Sequence, residues 1–215
     1  MLAFLHTAAI HVPNFTCIVR DLDPEISVRH AVREDLFAQA LTDGRVTEET
    51  LRGTQAEVRR LVVEGARVVL CTCSTLGSAA ESTSNVGAAR VIRVDRPMAH
   101  RAAALGRPIL LVAATQTAMA TAVTLLGEAS VGRPISVREL MCSAAWERFQ
   151  AGDQAGYARA LAEQVEEHAK PNDVVMLAQA SMAPAAALIR RTDTEVLTSP
   201  DVGVRAALEM LAARE

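Results

Sequence analysis

The feature of this 215-residue sequence that most limits its fold is an internal repeat. Four segments of the first half return in the second half in the same order, each shifted by 105 to 109 residues. The pairs are LAFLHTA (2–8) with ILLVAAT (109–115), ISVRHAV (26–32) with ISVRELM (135–141), VVLCTCSTLGSAA (68–80) with VVMLAQASMAPAA (174–186), and VIRVDRPMAHRAAAL (91–105) with VLTSPDVGVRAALEM (196–210). Four matches in register predict a duplicated structure with two similar lobes.

Short apolar runs alternate with helical patterns through both halves. The runs are Leu2–His6, Ile26–Val32, Val68–Thr72, Val91–Val94, Ile109–Ala113, Ser136–Met141, Val174–Leu177 and Glu195–Leu197. The clearest helical patterns are 47–64, which a threonine can cap and Gly65 ends, and 153–170, which Pro171 stops. This alternation predicts an α/β fold with mostly parallel sheets flanked by helices.

The repeat also predicts how the lobes divide the chain. We expect residues 1–96 and 200–215 to form the first lobe and 97–199 the second, related by a pseudo-two-fold axis. Strand carboxyl ends and helix starts then converge between the lobes, which is where we expect the active site.

Composition narrows the class of protein. Half of the residues are apolar, the net charge is −3 and the charges are scattered, so we expect no nucleic-acid partner. The four cysteines lack the spacing of a secreted framework and we find no signal peptide, which predicts a reduced, cytoplasmic setting. The uncharged stretch 108–127 is long enough for a membrane span, but its threonines favour a strand, a turn and a buried helix. We therefore expect no membrane partner.

The strand ends carry the candidate chemistry. Cys73 and its repeat counterpart Gln179 follow equivalent strands, and small or polar residues then lead into a helix: Ser74 and Thr75 after the first, Ala180 and Ser181 after the second. A helix start favours an anion and lowers the pKa of a thiol. Cys73 therefore has a physical reason to be reactive, and the neighbouring hydroxyl and N–H groups have one to hold a carboxylate. The alternative is that Cys73 is a small buried core residue.

The remaining cysteines suit packing better than chemistry. Cys71 lies on the same side of the strand as Cys73 but deeper, where we interpret it as core. Cys142 follows a predicted strand and is also assigned to packing. A C-x-C pair can bind a soft metal, but no second Cys or His cluster completes a site, so we expect no metal.

The segments CTCSTLGSAAE (71–81) and VIRVDRPMAHRAAALG (91–106), with the duplication, resemble the aspartate/glutamate/hydantoin racemase superfamily, which includes maleate isomerase and arylmalonate decarboxylase. The resemblance covers essentially the whole chain, and its most specific motif is Cys-Ser-Thr at 73–75. It implies two lobes with the active site between them, no metal, no organic cofactor and a homo-oligomer. It also implies a cysteine on each lobe, one removing the α-proton of the substrate and the other returning a proton.

The first of those cysteines corresponds to Cys73, but Gln179 occupies the position of the second. One thiol then faces an amide that can donate a hydrogen bond to substrate. The resemblance also implies that Thr7, Thr115 and Thr117 bind substrate; the alternative for these threonines is helix capping. His11 is either a second acid or base or simply a helix-start histidine, whereas we expect His100 and His168 to face solvent.

The combined prediction is a cofactor-independent isomerase or racemase that acts on a small carboxylate through Cys73. Ser74, Thr75 and Ser181 would hold the carboxylate oxygens. Three alternatives remain at this point: a one-cysteine decarboxylase of a malonate-type acid, a cis–trans isomerase that adds the thiolate to a double bond, and a protein that binds small carboxylates without transforming them.

Overall fold

A computed structural model describes residues 1–213 of the chain, which forms two compact units. Unit 1 comprises Met1–Val94 and the segment from Pro200 onward, and unit 2 comprises Asp95–Ser199. The last two residues of the predicted first-lobe segment 200–215 lie outside the described residues.

Each unit alternates strands with helices. Unit 1 contains β1 (Leu2–His6), α1 (His11–Leu22), β2 (Val28–Val32), α2 (Glu34–Thr42), α3 (Glu48–Val63), β3 (Val68–Cys71), α4 (Gly77–Glu81) and β4 (Arg90–Arg93). Unit 2 contains α5 (Arg96–Ala104), β5 (Ile109–Ala113), α6 (Gln116–Ala129), β6 (Val137–Met141), α7 (Ser143–Gln150), α8 (Gln154–His168), β7 (Val174–Leu177), a 3₁₀ helix (Ala180–Leu188) and β8 (Glu195–Leu197). Helix α9 (Ser199–Ala212) starts at the last residue of unit 2 and otherwise belongs to unit 1.

The two units have the same sheet topology. Each holds a four-stranded sheet, in the order β2-β1-β3-β4 in unit 1 and β6-β5-β7-β8 in unit 2, and all neighbouring strands are parallel. Strands β5, β6, β7 and β8 begin 107, 109, 106 and 105 residues after β1, β2, β3 and β4, which are the shifts of the repeat. The predicted fold class, parallel α/β with a duplicated architecture, is confirmed.

The local sequence explains why these elements form. Strands β1, β3, β5 and β7 are buried along their whole length, as expected of continuous apolar runs at the centre of parallel sheets. Thr47 caps α3 by accepting a hydrogen bond from the N–H of Thr50 (3.3 Å), and Asp153 caps α8 in the same way. Gly65, just beyond α3, has a φ of +100°, which a side chain would disfavour.

Each unit has its own apolar core on one face of its sheet. The unit 1 core includes Ala3, Leu5, Ala31, Leu36, Val58, Leu61, Ala66, Val69, Cys71, Cys73, Leu76 and Ala80. The unit 2 core includes Leu110, Val112, Ala114, Leu140, Cys142, Ala145, Tyr157, Ala158, Leu161, Val165, Ala169, Val175, Leu177, Met182 and Ala185. Cys71 is fully buried in its core, as its packing assignment requires.

The uncharged stretch 108–127 forms β5 and most of α6, which confirms its predicted division into a strand, a turn and a buried helix. None of the helices between residues 1 and 213 combines the length and the apolar character needed to cross a bilayer.

Candidate active site

The predicted site residues all follow the carboxyl ends of strands. They are Thr7, Cys73, Ser74 and Thr75 in unit 1, and Thr115, Thr117, Gln179, Ala180 and Ser181 in unit 2. Thr7 and Ser181 are half-buried and the others are buried. Parallel strands bring their carboxyl ends to one edge of a sheet, so within each unit these residues belong to the same edge.

The strand order makes one position on this edge special. In unit 1, β2 lies on one side of β1 and β3 lies on the other, so the direction of strand succession reverses between β1 and β3. Ligands of open α/β sheets bind in the crevice at such a reversal. Thr7 and Cys73 follow the two strands that flank it, and Thr115 and Gln179 follow the equivalent strands of unit 2.

Cys73 lies two residues beyond β3 with only 8% of its surface exposed. The chain does not enter a helix directly after it, as we expected. Residues 74–76 form a turn in which the N–H of Gly77 donates to the carbonyl of Ser74 (3.4 Å), and the five-residue helix α4 begins at Gly77. Ser74 and Thr75 are therefore turn residues rather than the first residues of a helix.

A buried arginine lies against this turn. Arg93 ends β4, pairs in register with Cys71 of β3 and is 1% exposed. Its Nη2 donates to the carbonyl oxygen of Ser74 (3.2 Å) and its Nη1 donates to Oγ of Ser78 (2.8 Å). The turn after Cys73 is thus bonded to the neighbouring strand by a guanidinium group.

The other face of the unit 1 sheet carries a chain of hydrogen bonds through two histidines. Thr16 donates to the carbonyl of Val12 (2.7 Å), so its oxygen accepts from Nε2 of His30 (3.0 Å). With neutral rings, His30 then accepts at Nδ1 from Nε2 of His6 (2.8 Å). His6 in turn accepts at Nδ1 from the hydroxyl of Thr72 (2.8 Å), the residue that precedes Cys73. This assignment of protons satisfies the bonds from Thr16 to Thr72. The Thr72 hydroxyl also lies 3.3 Å from the carbonyl oxygen of Leu5, and its one proton then goes to His6 at the shorter distance.

The surroundings keep the rings neutral. Burial, together with the neighbouring His30 and His11, lowers the pKa of His6 from its usual 6.5 to about 3. Burial also lowers the pKa of His30 and that of His11. The His6 ring stacks between apolar and imidazole neighbours, 5.6 Å from Phe4 and 5.1 Å from His30 between ring centroids. These histidines hold the strand end in place as neutral hydrogen-bonding groups.

His11 belongs to the same cluster. It is the first residue of α1, which agrees with the helix-start interpretation, and its ring centroid lies 6.3 Å from that of His6. His100 and His168 are exposed, as expected.

In unit 2 the side chain of Gln179 is anchored to the neighbouring strand. Its Oε1 accepts a hydrogen bond from the N–H of Ala114 (2.7 Å), which follows β5. Because a backbone N–H can only donate, this bond fixes the amide orientation and turns the NH₂ group away from Ala114. No residue in the described part of the chain accepts a hydrogen bond from that NH₂ group.

The two threonines after β5 form a pair at the start of α6. Thr115 is the N-cap residue, and its Oγ1 accepts from the N–H of Ala118 (3.3 Å). The hydroxyl oxygens of Thr115 and Thr117 lie 3.3 Å apart. Helix capping is therefore an observed role of Thr115, beside the predicted contact with substrate.

Ser181 is directed to a different partner. Its hydroxyl lies 3.2 Å from that of Tyr157 on α8, within the unit 2 core. Burial raises the pKa of Tyr157, and burial raises that of Cys142 to about 11. A protonated, 5% exposed Cys142 agrees with its packing assignment.

Sequence reasoning missed Thr72, His30 and Arg93. A charged residue inside the apolar run VIRV (91–94) was a usable signal for Arg93, because a strand end seldom buries a guanidinium without a reason. Asp95 is at the N-cap position of α5 but makes no side-chain cap. Among the described residues, no group of three His, Cys, Asp or Glu side chains is arranged to hold a metal ion.

Comparison with solved structures identifies the fold. Aspartate racemase from Picrophilus torridus superimposes with a TM-score of 0.71 over 100% of this chain and 94% of its own, at 12% identity. Glutamate racemase from Francisella tularensis subsp. tularensis SCHU S4 in complex with D-glutamate gives a TM-score of 0.68 over 98% of this chain and 80% of its own, at 11% identity.

A liganded double mutant of arylmalonate decarboxylase gives a TM-score of 0.63 over 100% of this chain and 93% of its own, at 18% identity. No family model matches the sequence, and no curated protein matches it either. The chain has the fold of these two racemases and of arylmalonate decarboxylase, which is the fold that the resemblance implied.

Proposed function

We propose that this protein is a cofactor-independent enzyme of the racemase type that acts at the carbon next to a carboxylate. The thiol of Cys73 is the acid, base or nucleophile, and the Ser74–Thr75 turn binds the carboxylate. The observation that supports this most is the position of Cys73 at the topological reversal of its sheet, followed by a polar turn that a buried guanidinium holds.

The proposed reaction requires a thiol that transfers a proton and hydrogen-bond donors that are held in place. Removing an α-proton, or the carbon dioxide of a malonate-type acid, leaves negative charge on the remaining carboxylate as an enediolate. Preorganised N–H and hydroxyl donors stabilise such charge. A thiol near its pKa can then deliver or remove the proton. Thr7, Thr115 and Thr117 are kept as proposed substrate contacts, and so are Gln179, Ala180 and Ser181.

A one-cysteine decarboxylase is the second candidate, and the anchoring of Gln179 favours it. An amide neither donates nor accepts a proton in catalysis near neutral pH, and Oε1 of Gln179 already accepts from Ala114. One thiol that protonates one face of an enediolate completes a decarboxylation, whereas racemisation needs proton exchange on both faces. We propose that Gln179 donates its NH₂ to a substrate oxygen in either reaction.

The first test measures turnover in D₂O with both enantiomers of aspartate and glutamate, with maleate and with phenylmalonate. Inversion with α-deuterium uptake identifies a racemase, geometric conversion of maleate an isomerase, and carbon dioxide release a decarboxylase. We expect Cys73→Ala to lower the rate by about 10²-fold or more, because acid–base groups contribute about that much. Cys17→Ala, which removes an exposed cysteine, is the matched control and should keep the wild-type rate.

Full activity in folded Cys73→Ala would overturn the proposed mechanism. Binding of these acids without turnover of any of them would instead identify a carboxylate-binding protein. Alkylation by iodoacetamide tests the thiol without requiring turnover. Fast alkylation of Cys73 near pH 7, slowed by one of the acids, would support the enzyme.

A further inference from the structure

Arg93 is the largest fully buried side chain among the described residues. A guanidinium keeps its charge in proteins, so its burial is costly unless hydrogen bonds replace the lost water. Two of those bonds are directed at the segment after Cys73, to the carbonyl of Ser74 and the hydroxyl of Ser78. The backbone N–H of Arg93 also donates to Oε1 of Glu81 (3.1 Å), which fastens the end of β4 to α4.

The Arg93 side chain packs directly against Gly77. A Cβ atom at residue 77 would lie 2.8 Å from Nε of Arg93 and 2.9 Å from its Cβ. Only glycine therefore leaves room for the guanidinium under the turn. The buried position of Arg93 therefore depends on the glycine at residue 77.

The bond to Ser74 sets the direction of a backbone donor. No peptide bond in the described chain is cis, so the Ser74–Thr75 peptide is a planar trans unit. In such a unit the C=O and the N–H point in opposite directions. Because the carbonyl of Ser74 points to Arg93, the N–H of Thr75 points away from it. A charged donor on the carbonyl also polarises the peptide, which strengthens the N–H as a donor.

We propose that Arg93 is a positioning residue for carboxylate binding: by donating to the Ser74 carbonyl and the Ser78 hydroxyl, it fixes the turn that binds a carboxylate beside Cys73. This inference rests on the proposed function of the same turn. Arg93 touches no reacting atom and acts through the peptide that it holds.

The test compares two alkylating agents that differ only in the group of interest. Iodoacetate and iodoacetamide both form a thioether when the Cys73 thiolate displaces iodide, but only iodoacetate carries a carboxylate. The ratio of their rates at Cys73, divided by the same ratio for free glutathione, reports carboxylate binding next to the thiol. Peptide mass spectrometry of the full-length protein separates Cys73 from the exposed Cys17.

We expect a normalised ratio well above one in the wild type. Arg93→Lys keeps the positive charge but cannot donate to Ser74 and Ser78 together, so it should lower the ratio by about five- to tenfold, which corresponds to losing one hydrogen bond. The rate with iodoacetamide should stay within about twofold of the wild type. Arg90→Lys on the same strand, at an exposed arginine, is the matched control and should leave both rates unchanged.

Ser78→Ala serves as a second variant, because it removes one guanidinium partner at an exposed position and leaves the charge buried as before. It should lower the ratio in the same direction, and it decides the matter if Arg93→Lys does not fold. An elevated wild-type ratio that neither variant lowers overturns the role of Arg93. Equal losses with both reagents also overturn it, since the effect would then fall on the thiol. A wild-type ratio equal to that of glutathione overturns the proposed carboxylate site itself.

Discussion

The amide of Gln179 has two ends with different surroundings. Its carbonyl oxygen accepts from the N–H of Ala114, a residue that is only 2% exposed. Its NH₂ group is turned the other way and can serve a ligand. Gln179, which stands where the resemblance implies a second cysteine, is therefore an anchored amide, and its role as a donor to substrate stays a proposal.

Removing the carbonyl of Gln179 should cost stability. Gln179→Met keeps the size of the side chain but leaves the Ala114 N–H without its acceptor, which should lower the free energy of unfolding by about 1–3 kcal/mol. Gln116→Met, the same exchange at an exposed position of unit 2, should stay within about 0.5 kcal/mol of the wild type. Urea denaturation measures both, and equal stabilities of the two variants would contradict the anchoring bond.

The repeat was enough to predict Gln179 as the counterpart of Cys73, because strand position alone sets that correspondence. It could not predict the bond to Ala114, which joins residues 65 positions apart. The sequence could not predict the burial of Arg93 either. That burial depends on the space left by Gly77, and the local sequence does not specify the shape of this turn.

At the scale of elements, the strands were predictable to within one or two residues, and most exactly where the central strands β1, β3, β5 and β7 are buried apolar runs with clear ends. The conformations of the segments after Cys73 and Gln179 were harder to predict. We expected similar helices, but one is a turn followed by the short α4 and the other is a 3₁₀ helix that contains Pro184. Propensity and spacing cannot separate these outcomes, since tertiary contacts decide the conformation of so short a segment.

The start of α6 offers a test of the two roles of Thr115. Thr115→Ala removes the cap and should lower the free energy of unfolding by about 1 kcal/mol, whereas Thr115→Ser keeps the hydroxyl and most of the stability. Thr124→Ala, at an exposed position of the same helix, controls for the change in helix propensity. Chemical denaturation measures all three, and no loss in Thr115→Ala would show that the cap contributes nothing.

At the scale of the whole molecule, the neutral histidines make stability depend on pH. In the folded state the pKa of His6 is about 3 and those of His11 and His30 are also lowered, whereas the unfolded chain binds protons near pH 6.5. Between those values the unfolded state holds more protons, so the free energy of unfolding rises with pH. Stability should therefore be full above about pH 6.5 and fall on acidification, by up to about 1.4 kcal/mol per pH unit for each such histidine.

Urea denaturation at pH 5, 6 and 7 measures this slope. His6→Gln should be less stable than the wild type at pH 7, because it disrupts the bonds to Thr72 and His30, but its stability should depend less on pH. His168→Gln, at an exposed histidine, should keep the wild-type slope. A pH-independent stability of the wild type between pH 5 and 7 would contradict the neutral assignment of the rings.

The path of the chain through unit 1 has a consequence for how such a protein can evolve. The chain leaves unit 1 after Val94 and returns at Pro200, and these points are neighbours: a Cβ at Gly203 would lie 2.6 Å from the carbonyl oxygen of Val94. Unit 2 is thus one continuous segment of the polypeptide that leaves and re-enters unit 1 at two adjacent points. Recombination could exchange that segment as a single cassette, with no need to rebuild the sheet that holds Cys73.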